Sequence, residues 1–202
     1  MPAIKIGGQE CPKHTLPQLS SGPLGRPRGR QALNVQDIRT LYAYNSWANS
    51  RVLAAVRVLQ PEDFTRDFGT SHGSVKGTLI HMLLGEWRWT QFWRGESEAE
   101  VRAHTEVEWA SRFSEVPAIE ARWALVENDR RAFIDNLTEE QLEHKLRVRR
   151  GEFSLGLMML HLANHSSYHR GQLVGLLRQL GQKPPSTDFI EFLQMTNSSG
   201  AA

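Results

Sequence analysis

The sequence has very little cysteine, with Cys11 alone among its 202 residues. A single cysteine excludes a disulfide within the chain and excludes metal sites built on several thiolates. No apolar run approaches the roughly 20 residues of a membrane-spanning helix, and the N-terminus lacks the continuous apolar segment of a secretory signal. We therefore expect a cytoplasmic protein with no membrane partner.

The sequence also lacks a strong charge of either sign, because its formal net charge is only +2. Residues 1–33 hold five basic residues against one acidic residue, which leaves a small negative balance for the remainder. A negative folded part does not offer a basic surface for nucleic acid. An N-terminal basic arm is the alternative, but residues 1–33 lack the interleaved aromatic residues of such arms.

Residues 1–33 are rich in proline and glycine and show no sustained hydrophobic period, so we expect them to be disordered. The hydrophobic content of 40% is enough for one sizeable core in the remainder. We therefore expect a single folded domain over residues 34–195.

Four long amphipathic segments dominate residues 34–195. Apolar residues at helical spacing, helix-capping residues and terminating Pro or Gly predict helices over Val35 to Leu59, Ser74 to Arg94, Pro117 to Leu137 and Ser154 to Leu180. Strand signals are few and no internal repeat is present. The pattern predicts an all-α fold, a four-helix bundle of up-down-up-down or similar topology.

The connections carry weaker signals. Residues 95–115 are charged and turn-rich, and Thr138 to Gln141 has the form of a capping box that starts a short helix. The stretch KLRVRRGEF turns at Gly151 and fits either a small hairpin or a plain loop. Residues 188–193 are expected to pack a last helical turn on the end of the domain.

Histidines are concentrated on the predicted core-facing helical positions. His161, His165 and His169 recur every fourth residue in HLANHSSYHRGQ and so share one helix face, and His81 lies on the second helix. Either neighbouring pair on the last helix could bind one metal ion, with further ligands from elsewhere. Neutral imidazole suits zinc, nickel, copper or iron, and three protein nitrogens leave a position open for water or substrate.

Other metal motifs are absent: the sequence contains no H-E-x-x-H, and no Glu lies three residues before a histidine. These absences exclude zincins and Glu-x-x-His di-iron bundles. Metal-free packing of the four histidines stays open, because a lone inward histidine is more often a hydrogen-bonded core residue. Asn45 and Asn49 lie on the apolar stripe of the first helix, where a buried amide needs hydrogen-bond partners. They either form a buried hydrogen-bond network or orient a ligand inside the bundle.

Several stretches resemble the DinB-like superfamily of four-helix-bundle metalloproteins. They are YNSWAN at 44–49, GTLIHMLLGEWRW at 77–89, NHSSYHRGQ at 164–172 and the closing PPSTDFIEFL. They occur in the order of the family and span residues 35–193. The resemblance implies a divalent metal, typically nickel or zinc, held by His81, His165 and His169. It also implies that His161 is an additional histidine beside the ligands.

The superfamily includes metal-dependent S-transferases and isomerases that use a low-molecular-weight thiol. The resemblance therefore implies an enzyme of this type that acts on a small-molecule substrate. A metal can hold a thiol as thiolate or a water as hydroxide, although no catalytic side chain is identified. We expect Asn45, Trp47, Asn49, Arg170 and Gln172 to line the pocket or to lie behind the ligands, with Arg170 more a bundle-bracing residue than a catalytic one. The alternative is a non-enzymatic metal-binding or stress-response protein with a structural metal site. A homodimer fits the family, whose name refers to damage-inducible expression and not to DNA binding.

Overall fold

The structure is a computed structural model that describes residues 33–199. The expected disorder of the N-terminal extension falls, except for Leu33, on residues outside this range. The described part is mostly helical, which confirms the all-α class in its general form, and it includes one small β-hairpin.

Four helices are long and the others are short. The elements in chain order are α1 Val35–Val56, α2 Pro61–Thr65, α3 Val75–Trp93, α4 Glu98–Ala103, α5 Glu106–Arg112, α6 Val116–Asp135, α7 Glu139–Glu143, β1 Lys145–Val148, β2 Gly151–Ser154, α8 Leu155–Gln179 and α9 Phe189–Ser199.

The four long helices form a closed ring of neighbours. Helix α1 packs against α8 and α6, and α3 packs against the same two helices. One large apolar cluster is shared by all four of them, with Val52, Leu83, Trp123 and Leu173 among its buried members. Each long helix therefore buries an apolar stripe between two others, which is how an amphipathic helix is stabilised in a small domain.

Two of the three expected helix caps form as expected. The Ser74 side chain accepts a hydrogen bond from the Gly77 amide at 3.0 Å, and Thr138 and Gln141 make a complete capping box. Ser154 occupies the N-cap position of α8, but its side chain makes no capping hydrogen bond. Ser154 is therefore the N-cap residue in position but not through its hydroxyl, and the Leu155 amide donates to the His144 carbonyl.

The connections hold more structure than expected. Helix α1 ends at Val56 and not at Leu59, and the short helix α2 begins at Pro61. Two helices, α4 and α5, occupy the segment that was expected to be turns. Ser97 and Thr105 cap them, and glutamates fill their first turns. Their apolar stripes are one or two residues long, too short to show a helical period in the sequence.

The hairpin alternative for KLRVRRGEF is the correct one. Strands β1 and β2 pair antiparallel, with Lys145 opposite Ser154 and Val148 opposite Gly151. Gly151 has φ +137°, a backbone conformation that favours glycine at this turn. The expected last turn is the longer helix α9, whose Phe192 is buried against α1. Within residues 33–199, no helix is both long enough and apolar enough to cross a membrane.

Candidate metal site

Three histidine side chains converge between α3 and α8. The Nε2 atom of His81 lies 3.0 Å from the Nε2 atom of His165 and 3.1 Å from the Nε2 atom of His169. His81 comes from the first half of α3, whereas the other two lie one turn apart on α8. The fold therefore brings together the three histidines that the sequence resemblance named.

Two of these rings are anchored through their second nitrogen. His81 Nδ1 lies 2.7 Å from Glu106 Oε1, and His169 Nδ1 lies 2.7 Å from Gln172 Oε1. Because a carboxylate or an amide oxygen only accepts, these partners assign the proton of each neutral ring to Nδ1. The Nε2 atoms of His81 and His169 then face each other as two lone pairs.

The third ring is held differently. His165 Nδ1 is buried and has no hydrogen-bond partner among the described residues. Gly85 leaves room for this ring, because a Cβ there would lie 3.3 Å from His165 Cε1. Burial, helped by the neighbouring imidazoles of His169 and His81, lowers the pKa of His165 to about 3. Burial also lowers the pKa of His169, so both rings favour the neutral form that binds metals.

The donor set fits a divalent ion. Two nitrogens bound to one ion at about 2.0–2.1 Å lie about 2.9 Å apart at a right angle and about 3.3 Å apart at a tetrahedral angle. The observed separations of 3.0 and 3.1 Å fall between these values. A cation between the three nitrogens would relieve the contact between unshared lone pairs. A proton on His81 Nε2 is the metal-free alternative.

His72 is a fourth histidine at this site. It lies in the loop before α3, and its ring stacks on His81 with centroids 3.9 Å apart and an angle of 26° between the planes. One ligand atom from each of His72, His81 and His169 lies within 4.8 Å of the others, so these three form a second, overlapping triad. An imidazole lone pair lies in the ring plane, and two nearly parallel stacked rings cannot both point at one ion. His165 therefore fits the ligand set better than His72.

Glu106 joins His72 to His81. Its Oε2 lies 3.7 Å from His72 Nδ1, while its Oε1 accepts from His81. A carboxylate that accepts from a metal-binding histidine fixes the ring and raises its basicity. The Glu106 side chain is 45% exposed, so this side of the histidine cluster opens to solvent. Burial, with the charge of His81 second, lowers the pKa of His72.

His161 lies at the edge of the cluster. Its side chain is exposed, with the ring centroid 5.6 Å from Trp89 and 6.1 Å from His165. This position is beside the converging nitrogens and not among them. The structure thus separates the two pairs that the spacing alone left equivalent.

A second polar cluster, which we call the Glu86 network, lies fully buried beside the histidines. Glu86 Oε1 accepts hydrogen bonds from Asn45 at 3.0 Å, Asn49 at 2.8 Å and Ser166 at 3.0 Å. Its Oε2 atom pairs with the Arg130 guanidinium. Burial alone raises the pKa of Glu86, but Arg130 and the asparagine amides outweigh it and hold the pKa below its ordinary value. All four long helices contribute to this network.

Arg170 extends the Glu86 network on α8. Its Nη1 donates to Asn45 Oδ1 at 2.5 Å and to Asn49 Oδ1 at 2.9 Å, and its Nη2 donates to Ser167 Oγ at 2.8 Å. The guanidinium also lies over the Tyr44 ring at 5.2 Å. Asn45 and Asn49 therefore bridge a buried carboxylate and a buried guanidinium. This is the packing-network alternative for the asparagines and the bracing role expected for Arg170.

Trp47 packs on Phe192 of α9, with ring centroids 5.7 Å apart, and lies under the guanidinium of Arg51. Gln172, expected at the pocket or behind the ligands, has its Oε1 atom against His169 Nδ1. The sequence analysis missed His72, Glu106 and Glu86. His72 stands between two turn glycines and Glu106 follows the cap Thr105, so neither carries a periodic signal. Glu86 did carry one, because a glutamate in an apolar helix stripe requires partners.

Comparison with known proteins identifies the family. A profile of the DinB family matches residues 31–200. The chain is also similar to Protein DinB of Bacillus subtilis (strain 168), with 26% identity over 169 residues, which cover 80% of this chain and 96% of the relative. The profile covers most of the chain and includes all the histidines of the cluster. The chain belongs to the DinB family.

Proposed function

We propose that this chain is a four-helix-bundle enzyme that binds one divalent metal ion through His81, His165 and His169. The reaction is a thiol-dependent S-transfer or isomerisation of a small-molecule substrate. The observation that carries the proposal is the convergence of three imidazole Nε2 atoms, at 3.0 and 3.1 Å from His81 to the other two. The ring of four long helices supports the bundle architecture.

The chain's own residues divide into holders and orienters. His81, His165 and His169 would hold the ion, while Glu106 and Gln172 keep two of the rings in the correct tautomer. A bound divalent ion, nickel or zinc in this proposal, lowers the pKa of a thiol or water ligand so that a nucleophile forms at neutral pH. The exposed side near Glu106 gives substrate a way in.

The sulfur comes from outside the folded domain in this proposal. Cys11 is the only cysteine of the chain, and residues 33–199 hold none. A low-molecular-weight thiol as co-substrate is therefore the simplest source of a sulfur nucleophile. A reducing cytoplasm would supply such a thiol and suits a chain without disulfides.

A structural metal site is the second candidate. His81 lies on α3 and its two partners lie on α8, so an ion bound by all three would cross-link two long helices. This placement favours a non-enzymatic binding or stress-response protein in which the metal stabilises the fold. Metal-free packing, with a proton on His81, is the remaining alternative.

Chelation of untagged, metal-loaded protein separates these candidates. The assay uses a panel of small thiols with an electrophile, and the thermal midpoint is measured on the same sample. We expect chelation to abolish thiol consumption while the thermal midpoint falls only modestly. A large fall of the midpoint with no thiol-dependent activity in any condition would support the structural site instead.

Association of two copies is also part of the proposal. Leu157 and Tyr168 are apolar or aromatic residues that are 54% and 65% exposed on α8. Exposed apolar side chains on one helix support a protein contact. Light scattering of the purified chain measures the oligomeric state directly, and we expect the mass of a dimer.

A further inference from the structure

We propose that Glu86 is a positioning residue for the metal site: through Ser166 it fixes the position of His165, whose Nδ1 atom has no hydrogen-bond partner within residues 33–199. The inference rests on the proposed metal site and adds a residue that sets its geometry. Glu86 does not touch the histidine nitrogens in this proposal, and it acts through the backbone of α8.

At the level of His165, α3 and α8 contact each other through two consecutive residues of each helix. Gly85 faces the His165 ring, since a Cβ at this position would lie 3.3 Å from His165 Cε1. The next residue on α3, Glu86, accepts a hydrogen bond from Ser166, the next residue on α8, at 3.0 Å. The contact between Gly85 and His165 thus sets how closely the ring approaches α3. The hydrogen bond between Glu86 and Ser166 sets the rotation of α8 about its axis and its position along that axis.

The three ligands differ in what holds them. Glu106 and Gln172 hold the rings of His81 and His169 at 2.7 Å each. The Nδ1 atom of His165 has no partner among the described residues. Metal-binding histidines ordinarily donate this second N–H to an acceptor that orients the ring. His165 therefore depends on its backbone position more than the other two ligands do.

The Glu86 carboxylate is itself bonded directly to residues of two helices other than α8. Its carboxylate pairs with Arg130 of α6 and accepts from Asn45 and Asn49 of α1. Both Glu86 and Ser166 are fully buried, so solvent does not compete for their hydrogen bond. A carboxylate held from two other helices is a rigid reference point for the helix that carries two ligands.

Ser166→Ala is the first test, because it removes only the hydroxyl that joins α8 to Glu86. Ser154→Ala is its matched control: Ser154 is a buried serine next to α8 whose side chain makes no capping hydrogen bond. Cobalt(II) titration of metal-free protein gives a dissociation constant and a visible ligand-field spectrum. We expect Ser166→Ala to weaken cobalt binding by about tenfold and to shift the spectrum, in the range of mutations behind metal ligands. Ser154→Ala should match wild type in both.

Gly85→Ala is the second test, and it separates positioning from stability. Alanine is the better helix former, so the thermal midpoint of the metal-free protein should not fall. The added methyl group would press on His165 Cε1 and displace the unanchored ring. We therefore expect weaker cobalt binding and a changed spectrum without loss of stability.

The outcomes distinguish this inference from the proposed function. No cobalt binding by wild type would contradict the metal site itself. Cobalt binding by wild type, with the same dissociation constant and spectrum in Ser166→Ala, would overturn the positioning role of Glu86 alone. A lower thermal midpoint in Ser166→Ala with unchanged cobalt binding would assign the hydrogen bond to stability only, which also contradicts the inference.

Discussion

The histidine cluster and the Glu86 network lie side by side between the long helices. They differ in whether hydrogen bonds satisfy the groups at their centres, which are imidazole nitrogens in the first and a carboxylate in the second. In the Glu86 network a buried carboxylate meets guanidinium, amide and hydroxyl donors, so both of its oxygens are satisfied. In the histidine cluster, the Nε2 atom of His81 lies at hydrogen-bond distance from the Nε2 atoms of two other imidazoles, and neutral rings cannot satisfy both contacts.

The two arrangements indicate different roles for the two clusters. The Glu86 carboxylate, with a donor for each of its oxygens, holds one arrangement of the helices. A cluster of converging acceptors is complete only when a cation or a proton joins it. The Glu86 network is therefore structural, and the histidine cluster beside it is the candidate binding site.

Disrupting the Glu86 network should have the largest effect on the free energy of unfolding. Arg130→Met keeps much of the side-chain volume but leaves the buried Glu86 carboxylate without its ion partner. Loss of one partner of a buried pair costs about 3–5 kcal/mol, because the other charge stays buried and uncompensated. Urea unfolding of the metal-free protein measures this cost.

Arg57→Ala is the control for that variant. It breaks the Arg57–Glu120 pair, in which the Arg57 side chain is 66% exposed. Exposed pairs contribute about 0–1 kcal/mol, so the free energy of unfolding should hardly change. Equal small losses in both variants would show that the Glu86 network is not the structural centre that the comparison requires.

The pH dependence of stability tests whether the Glu86 carboxylate is ionised in the folded protein. Folding holds the pKa of Glu86 below its ordinary value of 4.5, so the unfolded chain binds a proton more readily than the folded chain does. The stability contributed by Glu86 is then full above pH 4.5 and is lost as the pH falls through the lower pKa of the folded state. Urea unfolding of metal-free protein at several pH values should show this loss in wild type.

Glu86→Gln should lack that part of the pH dependence, because an amide does not titrate. Its overall stability should be lower at neutral pH, since the ion pair with Arg130 is gone. If wild type and Glu86→Gln lost stability in parallel below pH 4.5, the carboxylate would not be ionised in the folded protein.

Glu106→Gln tests the histidine cluster on the side that is exposed to solvent. The amide keeps the shape of the side chain but removes the charge that His81 faces at 2.7 Å. Partners behind a metal ligand change metal affinity by about 10–100-fold, and we expect the lower end here because an amide oxygen still accepts. Competition with a chelating dye gives the affinity. Glu108→Gln, two residues away and beside His104, should leave it unchanged.

His72→Ala should have the smallest effect on metal content. His72 stacks flat on His81 and so does not point its lone pair where that ring does. We expect the bound metal per chain to equal that of wild type, measured by elemental analysis. Loss of the ion in His72→Ala with retention in His165→Ala would favour the overlapping triad of His72, His81 and His169.

The sequence predicted the long helices well, because each has a continuous apolar stripe and terminating residues. It predicted poorly what lies in the connections: α4 and α5 are capped by Ser97 and Thr105 but are too short for a period to show. Thr138 and Gln141 show the opposite case, in which a capping box by itself indicates the start of a short helix.

For the candidate site, spacing placed His161, His165 and His169 on one face but could not choose between the two pairs. That choice depends on which turn of α8 faces His81, a tertiary contact that a single sequence does not contain. Family resemblance named the pair that the structure brings next to His81. His72 and Glu106 reach the cluster only through the packing of a loop and of α5 against α3, so no local pattern could have indicated them.

The most direct test is the metal content of untagged protein, wild type against single alanine variants of His81, His165 and His169. The proposed three-histidine site predicts about one divalent ion per wild-type chain. It predicts a clear loss in each of the three variants with helical circular dichroism retained, and wild-type content in the control His161→Ala. Wild-type protein without tightly bound metal, or full metal content in all three variants, would contradict it.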